Sequence, residues 1–355
     1  MTRQTYNFVT VDVTDSIATV VIDKPPANAF NPSLIAELLD LLPTLASDQS
    51  VRAIVITGTG RFFVAGADIT VMRNLTEETQ RAMRPWVEVQ RILEKAPKPV
   101  IAKINGHALG GGAELTLACD FRVMAQSATI GFPEIGLGLF PGAGGSQRLP
   151  RLVGTHRAKV LMIEGKRLSA ERACDIGLVD TVVADDELDT HCADLAHELA
   201  AKPTATIGMI KRIVEEGISL PLDQALDLEF DAVLELIKTD DAAEGLQSFL
   251  DKRPPPSLAA ENSTFTERSS CSTDFRTSGW ARSLPSQPSR SLSAAALAPR
   301  PTTPKKAVAW YGSLWEWTRR TPRFSWQTAR ACSRPQASTS RSSRRRVERP
   351  AHRTS

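Results

Sequence analysis

Residues 261–355 hold only six aliphatic side chains of the Val, Leu, Ile and Met kind, with no Ile or Met among them. Ser, Thr and Arg supply 18, 11 and 16 of these 95 positions. Such a stretch cannot bury enough apolar surface to offset the entropy of ordering it. Any hydrophobic core must therefore come from the preceding part of the chain. The expected division is a folded domain over 1–258 and a disordered, basic Ser/Arg/Pro-rich tail over 259–355.

Charge separates the same two pieces. The formal net charge of +3 averages about −10 in residues 1–260 (25 Lys+Arg, 35 Asp+Glu) and about +13 in residues 261–355 (18 and 5). Three readings of the basic piece compete. It is a disordered appendage; or an arm for nucleic acid, with Arg341, Arg344, Arg345 and Arg346 facing phosphate and Trp280, Trp310, Trp315, Trp317 and Trp326 available to stack on bases; or the product of a shifted reading frame in GC-rich DNA. Rich Ser, Arg, Pro and Ala with almost no Lys, Ile or Asn points to the third.

The chain has no run of about 18 apolar residues, so no transmembrane helix is expected. From Tyr6 to Ile22 polar and apolar residues alternate, without an apolar h-region or a small-residue cleavage site. Five cysteines (Cys119, Cys174, Cys192, Cys271, Cys332) form no CxxC pair, which argues against a disulfide scaffold or a zinc finger. The expected compartment is the cytoplasm.

The first 260 residues read as α/β. Val9, Val11 and Val13, then Ala18, Val20 and Ile22, alternate as in a half-buried hairpin. Asn31-Pro32 reads as an N-cap and first helical residue, followed by Leu34, Ile35, Leu38, Leu39 and Leu42 at helical spacing. Buried strands are expected over 51–57, 99–104 and 121–124, a helix over 77–94, and mostly helix from 186 to 251, broken at Pro203 and Pro221. Strands alternating with helices predict parallel pairing. Gly58-Thr59-Gly60 resembles the start of a dinucleotide fingerprint, but Phe63 stands where the third glycine belongs. The five histidines have no metal-ligand spacing, so no metal is expected.

Three stretches carry the candidate chemistry. Phe63 to Ile69 contains Ala65-Gly66-Ala67-Asp68-Ile69. Asn105 to Leu115 contains Gly110-Gly111-Gly112-Ala113-Glu114. Gly131-Phe132-Pro133-Glu134-Ile135-Gly136 leads to Phe140-Pro141-Gly142-Ala143-Gly144-Gly145. A glycine run opening a helix exposes backbone N–H groups suited to negative charge. Taken singly, each stretch is a tight turn or a solvated carboxylate.

In this order and at these separations, AGADI, GHALGGGAEL, FPEIGLGLFPGAGG and QRLPRLVG resemble the enoyl-CoA hydratase/isomerase (crotonase) family over about Val9 to Pro255. The resemblance implies a spiral of ββα units with a helical C-terminal region used in trimer formation, often with two trimers stacked as a hexamer. It implies that the N–H groups of Ala67 and Gly111 form an oxyanion hole. Glu114 and Glu134 would be the catalytic pair, with Glu114 activating water and Glu134 delivering the α-carbon proton. Ala65, Asp68, Ile69, Lys24, Ala27 and Ala29 would line the CoA site beside Ala67 and Gly111. No cofactor is implied, since coenzyme A is part of the substrate.

The chemistry is coherent by itself. Water addition across a conjugated thioester puts negative charge on the carbonyl oxygen, which two preorganised amides stabilise. Two carboxyl groups must also hold one water and move two protons. The expected activity is hydration of 2-trans-enoyl-CoA to 3-hydroxyacyl-CoA, within fatty acid β-oxidation. The rivals are a double-bond isomerase on the same scaffold, for which a carboxylate at Glu134 alone would serve, and an RNA-binding relative using the tail. The tail lacks a GxGxxG, so a fused dehydrogenase is not expected. A frame-shift origin is checked by sequencing the genomic locus. We expect codon usage to change abruptly near residue 258; an in-frame locus with uniform usage through residue 355 removes that reading.

Overall fold

The computed structural model describes residues 6–73, 76–253 and 330–331. The order of elements is two strands and a helix, followed by repeats in which a long buried strand is trailed by a short one and then by helix. Strands β1 (Val9–Thr14) and β2 (Ile17–Ile22) form the expected hairpin. Helix α1 (Pro32–Ser47) starts at Asn31, whose side chain accepts from the Leu34 N–H. It buries Leu34, Ile35, Leu38, Leu41, Leu42 and Leu45, a stripe at the spacing that marks one helix face.

Two sheets result. The larger runs β1-β2-β3-β5-β7-β10-β11, with β3 (Ala53–Gly58), β5 (Val100–Ile104), β7 (Phe121–Ala125), β10 (Thr181–Val183) and β11 (Arg330–Ala331); all neighbours are parallel except β1 with β2 and β10 with β11. The smaller runs β4-β6-β8-β9, with β4 (Phe62–Val64), β6 (His107–Leu109), β8 (Thr129–Gly131) and β9 (Arg167–Ser169); the first three are parallel and β9 is antiparallel. Each repeat therefore gives its first strand to one sheet and its second to the other, winding the chain as a spiral of ββα units. Strands of three residues leave too little alternation to be read from sequence, and the second sheet is unpredicted by periodicity.

The corners between the sheets are made by glycine and asparagine. A Cβ on Gly58 would lie 2.2 Å from the Phe63 carbonyl oxygen, and one on Gly106 2.3 Å from that of Arg61. Asn105 ties one corner to the other: its Oδ1 accepts from the Gly58 N–H at 3.0 Å and its Nδ2 donates to the Gly60 carbonyl at 3.0 Å. The Gly58-Thr59-Gly60 stretch is thus a sheet-to-sheet corner.

The helix expected over 77–94 is two helices, α3 (Glu77–Met83) and α4 (Trp86–Lys95), after a short α2 (Ile69–Met72). Pro85 lacks the N–H that a continuous helix needs, and it ends the first and precedes the second. The break puts Trp86 at the start of α4, completely buried.

Helices α5 (Gly111–Leu117), α6 (Gly145–Val153), α7 (Thr155–Glu164), α8 (Ala170–Asp175) and α9 (Leu188–Ala200) complete the body. Three helices follow: α10 (Thr204–Gly217), α11 (Leu222–Leu236) and α12 (Asp240–Asp251), with the breaks expected at Pro203 and Pro221. Of the 259–355 segment, Arg330–Ala331 is described, as a strand (β11) antiparallel to β10; the remainder, and with it the expected disorder, lies outside the described residues. Among the described residues no helix is long and apolar enough to cross a membrane.

Lys211 fastens α10 to the body. Its ammonium donates to the Leu93 and Lys98 carbonyls, both at 3.0 Å, and to Asp120 Oδ2 at 2.7 Å. Burial pushes the Asp120 carboxyl above the usual carboxylate range, although Lys211 pulls it down. Removing the ammonium leaves two carbonyls without this donor and a half-buried carboxyl with no cation beside it, its Oδ2 keeping the Val100 N–H at 2.8 Å. Lys211→Met should therefore cost about 3 kcal/mol, read from urea unfolding; a loss below about 1 kcal/mol would show that α10 is held by other contacts.

Candidate active site

The three parallel strands of the smaller sheet, β4, β6 and β8, end at one edge. Beyond their C-terminal ends lie Ala65 to Ile69, Gly110 to Glu114, and Phe132 to Glu134. This juxtaposition brings together residues 65–69, 111, 114 and 134 expected to act together.

The first turn is held by a neighbouring segment. The Ala65 N–H donates to the Ala27 carbonyl at 3.1 Å, the Phe30 N–H to the Gly66 carbonyl at 2.9 Å, and the Asp68 N–H to the Phe30 carbonyl at 2.9 Å. Ala27 and Ala29 thus run alongside Ala65 to Asp68. Alternate peptide groups of an extended segment point to opposite edges. With Gly66 O and Asp68 N bonded to Phe30, the Ala67 N–H is directed to the other edge. The Gly66 Cα lies against the second turn: a Cβ there would lie 3.1 Å from the Leu109 carbonyl oxygen and 3.6 Å from the Gly111 nitrogen. Among the described residues neither the Ala67 nor the Gly111 N–H donates to a backbone acceptor.

In the second turn Gly110 has φ +53°, and its N–H donates to the Gly131 carbonyl at 2.9 Å, locking β6 to β8. Glu114 lies in the first turn of α5 and is 2% exposed, so it is no surface carboxylate. Its Oε1 accepts from the Ala143 N–H at 2.9 Å and the Gly145 N–H at 2.8 Å. Burial pushes its carboxyl above the usual range, while these two amides and the Arg148 guanidinium oppose the rise. Arg148 itself is clamped by Glu94 and by Gln90 Oε1, the latter at 2.8 Å.

Glu134 stands on a 3-10 turn, Pro133–Leu137, directly after β8. A Cβ on Gly110 would meet Glu134 Oε1 at 3.0 Å, so glycine there makes room for this carboxyl. Its Oε2 is buried and has no hydrogen-bond partner. Burial pushes its pKa up to about 7, and the nearby Glu114 charge adds to the rise. The two carboxyls are therefore distinct: one is gripped by amides, the other bare and easily protonated.

Lys24 and Asp68 find each other, Nζ to Oδ2 at 2.9 Å, and Asp68 also caps α2 through the Thr70 N–H at 3.0 Å. Hydrogen bonds from Thr70 and Lys24 hold Asp68 below the usual carboxylate range. Ile69 beside them is 70% exposed. Sequence reasoning gave no role to Ala143 and Gly145, whose amides hold Glu114, or to Phe30. The Gly-Ala-Gly-Gly run was the available signal, since only bare backbone fits there: a Cβ on Gly145 would lie 2.9 Å from Glu114 Oε1.

Residues 12–257 match the family described as enoyl-CoA hydratase/isomerase. The chain is similar to the crotonyl-CoA hydratase of Syntrophomonas wolfei, at 39% identity over 70% of this chain and 96% of that one. It is also similar to the short-chain-enoyl-CoA hydratase of Clostridium acetobutylicum, at 37% identity over 70% and 96%. Among solved structures, an enoyl-CoA hydratase from Bacillus anthracis is similar at 38% identity and a TM-score of 0.67, covering 70% of this chain and 98% of that chain.

The elevated Glu134 pKa has a consequence for stability. Between the unfolded carboxyl's pKa of about 4.3 and about 7, the folded chain keeps a proton that the unfolded chain has released. Stability attributable to this residue thus falls as pH rises through that window. Glu134→Gln, which never ionises, should gain in urea midpoint over wild type as pH goes from about 5 to about 8. A difference independent of pH would contradict the placement of Glu134.

Proposed function

The chain belongs to the enoyl-CoA hydratase/isomerase family, and we propose that it adds water across the double bond of a 2-trans-enoyl-CoA, forming the 3-hydroxyacyl-CoA. The observation that carries this reading is the unequal pair of carboxyls. Glu114 Oε1 is held by two amides, whereas Glu134 Oε2 is buried without a partner. Moving a double bond needs one carboxyl to carry a proton between two carbons. Adding water needs a second group to hold the water, and two separately mounted carboxyls suit that task.

In this mechanism the thioester carbonyl oxygen accepts from the Ala67 and Gly111 N–H groups, which take up the negative charge that develops as the enolate forms. Glu114, fixed by Ala143 and Gly145, orients the water and takes one of its protons while the oxygen bonds to the β-carbon. Glu134 gives its proton to the α-carbon. The net change is addition of one water, after which the pair re-equilibrates its single proton. A pKa near 7 on Glu134 supports its part as the acid; the two carboxyls titrate as a unit. Ala27, Ala29, Ala65 and Ile69 would line the CoA moiety, with the Lys24–Asp68 pair bracing that wall.

The C-terminal helices support assembly as a trimer, or as two stacked trimers. Helix α10 has no buried residue, and α11 buries only Ala232. Val214, Ile218, Leu222, Leu226, Phe230 and Ile237 are each about half exposed or more, between 50% and 72%. Apolar surface this extensive on two consecutive helices suits a subunit contact.

Two measurements test the reading. Glu134→Gln should lower kcat for crotonyl-CoA hydration by on the order of 10²- to 10⁴-fold with little change in KM, followed by loss of the enoyl thioester's ultraviolet absorbance. Hydration left nearly intact by this change would overturn the assignment. Light scattering should give three or six times the 38.6 kDa chain mass, and Phe230→Asp should shift it toward the monomer; a monomeric wild type would contradict the assembly.

A further inference from the structure

A turn rich in glycine has no intrinsic stiffness, because each glycine has the widest choice of backbone conformation. The Gly110-Gly111-Gly112 run must therefore be aimed from outside. The body supplies one stacked pair at that point. The rings of Phe30 and Trp86 lie 4.3 Å apart and 3° from parallel, and the two residues are 4% and 0% exposed. Trp86 Nε1 donates to the Gly111 carbonyl at 3.2 Å. The Phe30 ring fills the space beside the Gly111 Cα: a Cβ there would lie 2.2 Å from Phe30 Cε1. Gly111 is thus held by a ring against its Cα and by a hydrogen bond on its carbonyl.

The same Phe30 holds the opposite side. Its backbone is bridged to Ala67 through the bonds to Gly66 O and from Asp68 N. One residue therefore touches both segments whose amides must converge: Ala67 through its main chain, Gly111 through its ring. Trp86 stands behind it, packed on the ring and bonded to the second segment.

We infer that the Phe30–Trp86 stack is the positioning element that sets the spacing and direction of the Ala67 and Gly111 amides toward the substrate carbonyl. This rests on the hydratase reading above. Both rings are buried, so they act through the backbone and not on the substrate. Aromatic packing alone could be met by phenylalanine at position 86. The indole N–H is what phenylalanine cannot supply, and the hydrogen bond to Gly111 is its use here.

The test separates polarisation of the carbonyl from ordinary packing. The probe is dimethylaminocinnamoyl-CoA, whose absorption moves to longer wavelength as its carbonyl is polarised. Wild type should hydrate crotonyl-CoA and shift the bound probe to the red. Trp86→Phe keeps the stack and drops the donor. It should lower kcat by about ten- to a hundred-fold, as misplacement of a catalytic group does, keep KM within about two-fold, and show a smaller red shift. Benzothienylalanine at position 86, which replaces N–H with sulfur in the same ring frame, should reproduce both changes and decides the matter should the phenylalanine variant not fold. A folded variant with wild-type kcat and the full red shift overturns the inference. A wild type that neither hydrates nor shifts the probe overturns the hydratase reading, and this inference with it.

Discussion

The candidate site depends on two backbone turns touching with nothing between them. Gly66 faces Leu109 to Gly111 at a distance where a methyl group would already crowd the Leu109 carbonyl oxygen. Gly112 is tighter still, since a Cβ there would fall 1.9 Å from the Val64 carbonyl oxygen. The strands β4 and β6 can therefore deliver their ends side by side only because these positions carry no side chain. All else at the site is arranged around that contact. The amides of residues 67 and 111 lie beside it, Glu134 occupies the room left by Gly110, and Glu114 follows one helical turn later.

Within this frame two chemically identical side chains acquire different behaviour. Both are pushed toward the neutral form by burial. Glu114 receives compensation from two amides and from Arg148, which Glu94 holds from behind. Glu134 receives little, and the negative charge of Glu114 raises it further. Desolvation with and without hydrogen bonds is enough to give two like carboxyls different proton affinities.

Much of this was legible in the sequence, for identifiable reasons. Long apolar runs such as Ala53–Gly58 and Val100–Ile104 announce buried strands, and Asn31-Pro32 announces a helix start. The candidate site residues stand out through the resemblance, and the glycines among them lie where backbones meet, which leaves fixed spacings. The smaller sheet was opaque to periodicity, as three residues carry no pattern. The break at Pro85 carries its own signal, the missing N–H of proline, which reading 77–94 as one helix did not use. The place of Trp86 was hidden for another reason. A tryptophan looks the same in sequence whether it lines a cavity or packs behind a turn, and its complete burial and its bond to Gly111 distinguish the two. Phe30 gave no sign at all, since its contacts with Gly66 to Asp68, Trp86 and Gly111 are with residues far along the chain.

The hydrogen bonds on Glu114 Oε1 come from main-chain groups, the amides of Ala143 and Gly145. Such donors are present whatever side chains the loop carries, provided its path is kept. Drift in the exposed residues nearby, Leu137 and Phe140 among them, can therefore reshape what the loop presents to a ligand without loosening the carboxylate. The fold in this way insulates the seat of a buried carboxylate from changes on the surface beside it.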